Sequence, residues 1–213
     1  MKALLITQKG GEPAAKKEVK DLLGLVGKVV PEAVEFEFKD YKQLFTLSYL
    51  SQSALRIVLL ENPEDWLEKG DTFCVRAKDK ETEIEYGNKI SDEFKVNLKE
   101  PDLPLYVHNK TFGIDFTGNL SKRSFRIFTH RQSLKGTTAF ILLSEAGFKP
   151  GLSLLDPFAK DGTIIFEAAH YLKHQSVRHF DKDEFRFINF KKFKDINFDE
   201  FFAELDNKQV KEK

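Results

Sequence analysis

The stretch LLDPFAKDGTIIFEAA, residues 154–169, contains the residue types best suited to hold a polar ligand. Asp156 ends an apolar run typical of a buried strand, and a carboxylate there can accept hydrogen bonds from an amine or a hydroxyl. Gly162 permits close backbone approach before an apolar run typical of a helix, whose free N–H groups attract polar ligands. The pattern indicates a nucleotide-cofactor loop. One glycine is a weak signal, however, and a plain strand end with Asp161 capping the helix remains the alternative.

A second group of candidate residues is basic. No acidic residue lies between Asp115 and Glu145, which is the strongest local charge asymmetry of the chain. Unopposed lysine and arginine attract phosphate, and the interleaved Phe125 and Phe128 could stack on bases. We therefore consider a nucleic-acid contact here, with a solvated linker between two domains as the alternative. The cations of the segment are Lys122, Arg123, Arg126, Arg131 and Lys135.

Composition limits the class of protein. The chain has 213 residues, of which 41% are hydrophobic and 32% charged, and its net charge of zero excludes a uniformly basic nucleic-acid binder. Cys74 is the sole cysteine, which excludes a disulfide framework and a cysteine-based zinc site and fits a reducing cytoplasm. His170 and His174 lie one helical turn apart but lack a third ligand of evident spacing, so no metal site is predicted. The sequence predicts neither a signal peptide nor a membrane span.

The elements that would position these residues follow from apolar periodicity. Residues 1–60 alternate strand, helix, strand, helix, strand, which indicates a small ferredoxin-like α+β unit. A strand at TFCVRAKD, a modest helix, and two strands joined at Asn109-Lys110 follow. Beyond Gly118 we predict a helix at LKGTTAFILLSEAGF, a strand at LSLLDPF, a helix at GTIIFEAAHYLKHQ and a C-terminal helix capped by Asn197 or Asp199.

Several of these stretches, taken in order, resemble THUMP-domain RNA methyltransferases. GIDFTGNLSKRSFR resembles the end of the family's THUMP domain, and DPFAKDGT resembles the D-P-(F/M)-C-G-S-G-T loop of its class I methyltransferase domain. TFCVRAKD and VNLKEPDLPLYV resemble THUMP segments farther upstream. The resemblance implies a ferredoxin-like domain at 1–60, a THUMP domain at 61–126 and an α/β Rossmann-like methyltransferase domain from 127 to 213.

The same resemblance implies S-adenosylmethionine (SAM) as methyl donor and tRNA or another structured RNA as substrate, methylated at the N2 amine of guanine. Lysine and arginine would then contact phosphates in a module that reads RNA shape. The implied cofactor-binding residues are Leu134, Asp156, Phe158, Gly162 and Thr163. The implied RNA-binding residues are Arg76, Lys122, Arg123, Arg126, Arg131 and Lys135.

Three departures from the family pattern qualify this expectation. Ala159-Lys160-Asp161 replaces the family's Cys-Gly-Ser, and Asp161 could repel the carboxylate of the cofactor. No Pro-Pro pair exists for the family's catalytic Asn/Asp-Pro-Pro-Tyr/Phe motif, so no catalytic residue is assigned. Finally, LSLLDPF is the one clear strand after residue 127, and one strand cannot form a parallel sheet. The methyltransferase domain is therefore expected to be incomplete.

Phenylalanine is unusually frequent at the C-terminal end, where eight of the 21 in the chain fall between Phe180 and Phe202. These rings could close over the helix at 162–173, or they and the unpaired strand could meet a second polypeptide. The latter is the favoured interpretation. It predicts the RNA-binding portion of a SAM-dependent tRNA (guanine-N2) methyltransferase-like protein that needs a second chain for catalysis. The alternatives are a non-enzymatic THUMP RNA-binding protein with a relic cofactor loop, and an assembly protein that uses the phenylalanine-rich tail.

Overall fold

The computed structural model describes residues 1–90, 93–127 and 131–211, the last four by backbone alone. The chain has an α/β fold built on one mixed eight-stranded sheet, in the order β2-β3-β1-β4-β8-β7-β5-β6. The strands are β1 (Lys2–Ile6), β2 (Gly27–Val30), β3 (Ala33–Glu37), β4 (Arg56–Leu59), β5 (Thr72–Arg76), β6 (Lys95–Val96), β7 (Leu103–His108) and β8 (Thr111–Asp115). The helices are α1 (Glu12–Leu23), α2 (Tyr41–Leu50), α3 (Lys80–Gly87), α4 (Gly136–Glu145), α5 (Thr163–Lys173) and α6 (Phe198–Lys211).

All eight strands lie between residues 2 and 115, and their pairing forms one continuous sheet. β1 is antiparallel to β3 and β4, and β4 is antiparallel to β8 through Val58 and Asp115. β5 is parallel to both β6 and β7. The β7–β8 hairpin turns at Asn109 and Lys110, whose positive φ angles of 46° and 68° suit a tight two-residue turn, as the sequence predicted.

Successive side chains of a strand point to opposite faces of the sheet, and this alternation assigns them to two different hydrophobic clusters. Ala3 and Leu5 of β1 join the main core beneath α1 and α2, whereas Leu4 and Ile6 belong to a smaller cluster on the other side of the sheet. The Asp40 side chain caps α2 by accepting from the Lys42 N–H at 2.9 Å, and Gln43 completes the capping box. These local signals explain why most of the elements predicted in this half are confirmed.

The structure contains two short strands that were not predicted, β2 and β6, and it lacks one strand that was predicted. The four-residue strand β2 was not predicted, because its glycine and lysine interrupt the apolar pattern. LSLLDPF does not form a strand: residues 152–156 lack regular structure, and Leu155 is 86% exposed. A strand needs a neighbour for its N–H and C=O groups, and the described residues after Asp115 contain no strand to pair with.

The phenylalanine-rich tail is part of the main core, contrary to the favoured interpretation that these rings meet a second polypeptide. Phe187 stacks against Phe116 with ring centroids 4.9 Å apart and lies equally close to Phe45 of α2. Its N–H also donates to the Phe116 carbonyl at 3.0 Å. The rings therefore cover α2 and the end of β8 rather than α5, and Phe180, at 85% exposure, is the exception. The Asn197 side chain caps α6 as predicted, by accepting from the Glu200 N–H at 3.2 Å.

None of the helices in the described part of the chain is both long and apolar enough to cross a membrane.

Candidate functional site

The loop before α5 has the tight-turn geometry expected of a ligand-binding loop. Gly162 occupies the N-cap position with φ of 72°, a left-handed conformation that favours glycine. Lys160 adopts φ of 50°, where the family's glycine would be unstrained. Its Nζ donates to the backbone oxygen of Gln132 at 3.2 Å, so the side chain points to the preceding linker. Lysine in place of glycine therefore adopts a left-handed backbone conformation that is disfavoured for residues with a side chain.

Asp161 occupies the start of α5. Its carboxylate accepts from the Thr163 hydroxyl at 2.8 Å and from the Thr163 N–H at 3.3 Å. The Arg126 guanidinium donates to its other oxygen at 3.1 Å. Desolvation alone would raise the pKa of Asp161, but the hydrogen bonds, led by that from Thr163, hold it down at about 2. The carboxylate is thus firmly ionised, and it takes the position at the helix N-terminus that an anionic ligand group would use.

The other predicted cofactor residues lie around this loop but do not enclose a cavity. The Asp156 carboxylate accepts from the Phe158 N–H at 3.1 Å. Phe158 is 81% exposed and Leu134 is partly exposed, whereas Thr163 is buried beneath Asp161. These residues supply one wall of a site, without an opposing wall from the described part of the chain.

The predicted RNA-binding residues divide by exposure. Arg131 and Lys135 are exposed, and Lys122 is exposed while bridging to Glu184 at 3.3 Å. Arg126 is partly exposed and donates one bond, from Nη2 to Asp161, so the basic segment and the cofactor loop touch each other. Arg76 lies apart from them on β5, where its Nη2 donates to the Leu98 carbonyl at 2.6 Å. Phe128, considered above for base stacking, lies outside the described residues.

Arg123 is a correction to the predicted set. Its side chain is fully buried, with Nε donating to Glu167 Oε1 at 2.6 Å. Its Nη2 also donates to the Gln52 carbonyl at 2.8 Å. A guanidinium in this position is unavailable to phosphate, and the burial of a charge requires such a partner. Arg123 therefore joins α5 to the loop after α2, and it is removed from the RNA-contacting set.

The stretch GIDFTG has a structural explanation. The buried Asp115 carboxylate accepts from the guanidinium groups of Arg56 and Arg186, the latter at 2.6 Å, and from the Gly118 N–H at 2.9 Å. Gly113 packs so closely on β4 that a Cβ there would lie 2.3 Å from the Leu59 carbonyl oxygen. Asp115 thus fixes the C-terminal segment containing Arg186 to the end of β8, beside β4.

Sequence reasoning did not identify the buried polar network around residues 51–53. Glu18 of α1 accepts from the hydroxyl groups of Ser51 and Ser53, and burial raises its pKa despite these bonds. The Gln52 amide donates to Glu167 Oε2 at 2.7 Å. The only signal available in the sequence was the polar run SQS directly after an apolar helix.

Arg178 extends this network to the C-terminal segment. Its Nη1 donates to the Ser51 carbonyl at 2.6 Å, and Nη2 donates to the Leu120 carbonyl. Burial, together with the neighbouring Arg123 charge, lowers its pKa to about 9. Arg123, Glu167, Gln52 and Arg178 together hold residues 120–178 on the sheet domain.

Within the described ranges, no group of three or more His, Cys, Asp and Glu side chains could hold a metal ion. His170 stacks on Phe125 with centroids 5.4 Å apart, and its Nδ1 lies 3.3 Å from the Gln175 carbonyl.

Comparison with known proteins relates this arrangement to RNA methyltransferases. Residues 123–210 match a family model described as UPF0020, an RMKL-like methyltransferase domain. A tRNA (guanine(6)-N2)-methyltransferase from Methanocaldococcus jannaschii is 26% identical over 203 residues, which cover 75% of this chain and 53% of the relative. A protein of the same name from Archaeoglobus fulgidus is 37% identical over 90 residues, which cover 39% of this chain and 22% of the relative. The matched residues thus span about half the length of the first relative and less than a quarter of the second.

The fold is shared with a solved structure named as a methyltransferase. SMU.472, crystallised with SAH, superposes with a TM-score of 0.72 at 18% identity. The match covers 99% of this chain and 64% of that one. At this identity the comparison shows a common α/β fold, and the part of SMU.472 outside the match has no counterpart here.

Proposed function

We propose that this chain is the RNA-binding portion of a SAM-dependent tRNA (guanine-N2) methyltransferase-like protein, and that catalysis requires a second chain. One observation carries the proposal. Residues 123–210 match a methyltransferase domain, yet none of the described residues in that range forms a strand. A parallel sheet is what positions the cofactor loop in such a domain, so this region has the loop and its helices without their support.

We assign three parts to the chain: a ferredoxin-like domain at 1–60, a THUMP domain at 61–126 and a partial methyltransferase domain at 127–213. The first two share a continuous sheet, because β4 pairs with β8. RNA would be held by exposed and partly exposed cations, which bind phosphate and read shape. These are Arg76, Lys122, Arg126, Arg131 and Lys135.

The second chain would supply the missing strands of the methyltransferase sheet. The surface that fits them is segment 152–158, which forms no strand and in which Leu152 is half exposed and both Leu155 and Phe158 are almost fully exposed. Ile165 and Phe166 of α5 extend the apolar surface. Exposed apolar side chains beside backbone N–H and C=O groups that pair with no strand suit a neighbouring strand, which would satisfy both.

SAM would bind only when that second chain completes the pocket. On this side, Asp156, Gly162 and Thr163 would face it, with Leu134 and Phe158 at its edges. Asp161 already occupies the helix start, so the cofactor carboxylate would need a site elsewhere or a displacement of Asp161 from Arg126.

The experiment measures RNA binding and methyl transfer separately. The pure chain should bind a total-tRNA preparation with an affinity that falls steeply with salt, and it should transfer no methyl group from radiolabelled SAM. Calorimetry with SAM should give no heat of binding for the chain alone, and binding should appear when a polypeptide carrying the remaining strands is added. Methyl transfer by the 213-residue chain alone would contradict the requirement for a second chain.

The interactions of Asp161 favour one alternative, a non-enzymatic RNA-binding protein with a relic loop. A carboxylate bound by Thr163 and Arg126 at the helix start stabilises the loop without a cofactor. On this alternative the chain binds tRNA equally well, but SAM does not bind in the presence of any partner polypeptide. The same calorimetric titration therefore separates the two functions.

A further inference from the structure

A cavity beside β5, near the β6 end of the sheet, has the features of a phosphate subsite, and it lies apart from the loop at 156–163. It has a volume of about 230 Å³ and opens between β5, the segment before β7, and the segment that follows Phe185. Its charged and amide lining consists of Arg76, Lys99, Asp102, Arg186 and Asn189. We propose that this cavity binds one backbone phosphate of a structured RNA, an inference that rests on the RNA-binding function proposed above.

The charges around the cavity leave its cations available. Arg76 donates to the neutral Leu98 carbonyl, and none of the ion pairs between described residues includes Arg76 or Lys99. Arg186 shares the single charge of Asp115 with Arg56, so two guanidinium groups face one carboxylate. Positive charge therefore remains at the cavity, which a phosphate would neutralise.

Asp102 is the one acidic residue of the cavity lining. Asp102 accepts from the Thr72 hydroxyl at 2.6 Å and from the Thr72 N–H at 2.8 Å. These bonds lower the pKa of Asp102 and direct its oxygens to the start of β5. Asp102 therefore keeps its negative charge, but three cations of the lining, Arg76, Lys99 and Arg186, face this one carboxylate.

The shape of the cavity suits a nucleotide backbone rather than a free inorganic ion. Pro101, Pro104 and Phe190 form apolar walls beside the cations. A sugar can pack on such walls while the guanidinium groups and the Asn189 amide reach the phosphate oxygens. Arg186 and Asn189 belong to residues 123–210, the methyltransferase-like region. The RNA would therefore contact both that region and the sheet at this point.

The test compares the salt dependence of tRNA binding between variants. Arg76→Gln and Lys99→Gln each remove one cation, and Lys28→Gln is the matched control, an exposed lysine on β2 at the opposite edge of the sheet. For each cavity variant, the negative slope of log K against log salt should become shallower by about one. Affinity at low salt should drop about threefold or more, since one phosphate contact is lost. Arg76→Lys should retain most of the slope.

The outcomes separate this proposal from the function on which it rests. If the wild type binds tRNA but both glutamine variants keep its slope, the cavity is not a phosphate subsite and the proposed RNA-binding function stands. If the wild type fails to bind tRNA at any salt concentration, the proposed function is wrong and the cavity proposal falls with it. Binding of inorganic pyrophosphate provides a second measurement. If Arg76→Gln abolishes pyrophosphate binding but leaves tRNA binding unchanged, the cavity is a site for free phosphate and the RNA assignment is wrong.

Discussion

The Nε atom of Arg123 lies 2.6 Å from Oε1 of Glu167, and both side chains are fully buried. The pair connects the segment after β8 to α5, and Gln52 binds both partners, through its carbonyl to Arg123 and through its amide to Glu167. The sheet domain and the methyltransferase-like region are therefore joined by buried, directional bonds rather than by a flexible linker. A phosphate bound on one of them would be held at a defined distance from the loop on the other.

Removing one member of this pair should destabilise the chain strongly. Arg123→Met leaves the Glu167 carboxylate buried with Gln52 as its remaining donor, and such a loss costs about 3–5 kcal/mol of unfolding free energy. Lys122→Met is the control: its neighbouring ion pair is exposed, so a change of about 0.5 kcal/mol or less is expected. Urea denaturation measures both values.

The double variant Arg123→Met/Glu167→Met distinguishes a buried pair from two independent side chains. With both charges removed, neither partner is left uncompensated, so it should be more stable than Arg123→Met alone. Losses that simply add would contradict the coupling.

The phenylalanine-rich tail should contribute to the stability of the whole chain. Phe187→Ala removes a fully buried ring from the cluster with Phe45 and Phe116, which costs about 3–5 kcal/mol. Phe180→Ala, in the same segment but 85% exposed, should change stability by about 0.5 kcal/mol or less. Equal melting temperatures for the two variants would show that the tail is not part of the core.

The elements that the sequence predicts well are those whose signals are local. Alternation along β1, the Asp40 cap of α2 and the turn at Asn109-Lys110 each arise within a few residues of chain. The failures concern partners that are distant in sequence. Arg123 belongs to the same basic run as Lys122, yet Glu167 buries it from 44 positions away. Similarly, a phenylalanine tail has the same composition whether its rings meet the chain's own α2 or another protein.

The cofactor loop shows the same limit. LSLLDPF has the composition of a buried strand, but a strand exists only where a neighbouring strand accepts its hydrogen bonds. The tight turn at Gly162 was expected from the residues beside it, and the contact of Asp161 with the start of α5 corresponds to the alternative interpretation of this loop. That Arg126 binds Asp161, and so brings the basic segment to the loop, required the folded chain.

The exposed segment 152–158 should be dispensable for folding of the chain by itself. Leu155→Asp and Phe158→Ser alter side chains that are 86% and 81% exposed, so the free energy of unfolding should change by about 0.5 kcal/mol or less. Both changes should nevertheless abolish association with a polypeptide carrying the remaining strands, as measured by sedimentation velocity. Unchanged association would contradict the proposed docking surface. A large loss of stability would show that the segment packs within the chain.

Acid stability should depend on Asp161. Its pKa of about 2 lies below the ordinary 3.8, so the native state binds fewer protons than the unfolded state between these values. The stabilisation is therefore complete above pH 4 and is lost as the pH falls towards 2. Asp161→Asn should be less stable than the wild type at pH 5, and the difference measured by urea denaturation should shrink steadily below pH 4. Arg126→Gln removes one of the donors, so it should raise the pKa of Asp161 as followed by carboxyl carbon NMR, while Thr163 keeps it below 3.8. A difference in stability that stays constant from pH 5 to pH 2 would show that Asp161 acts only as a neutral hydrogen-bond acceptor at the helix start.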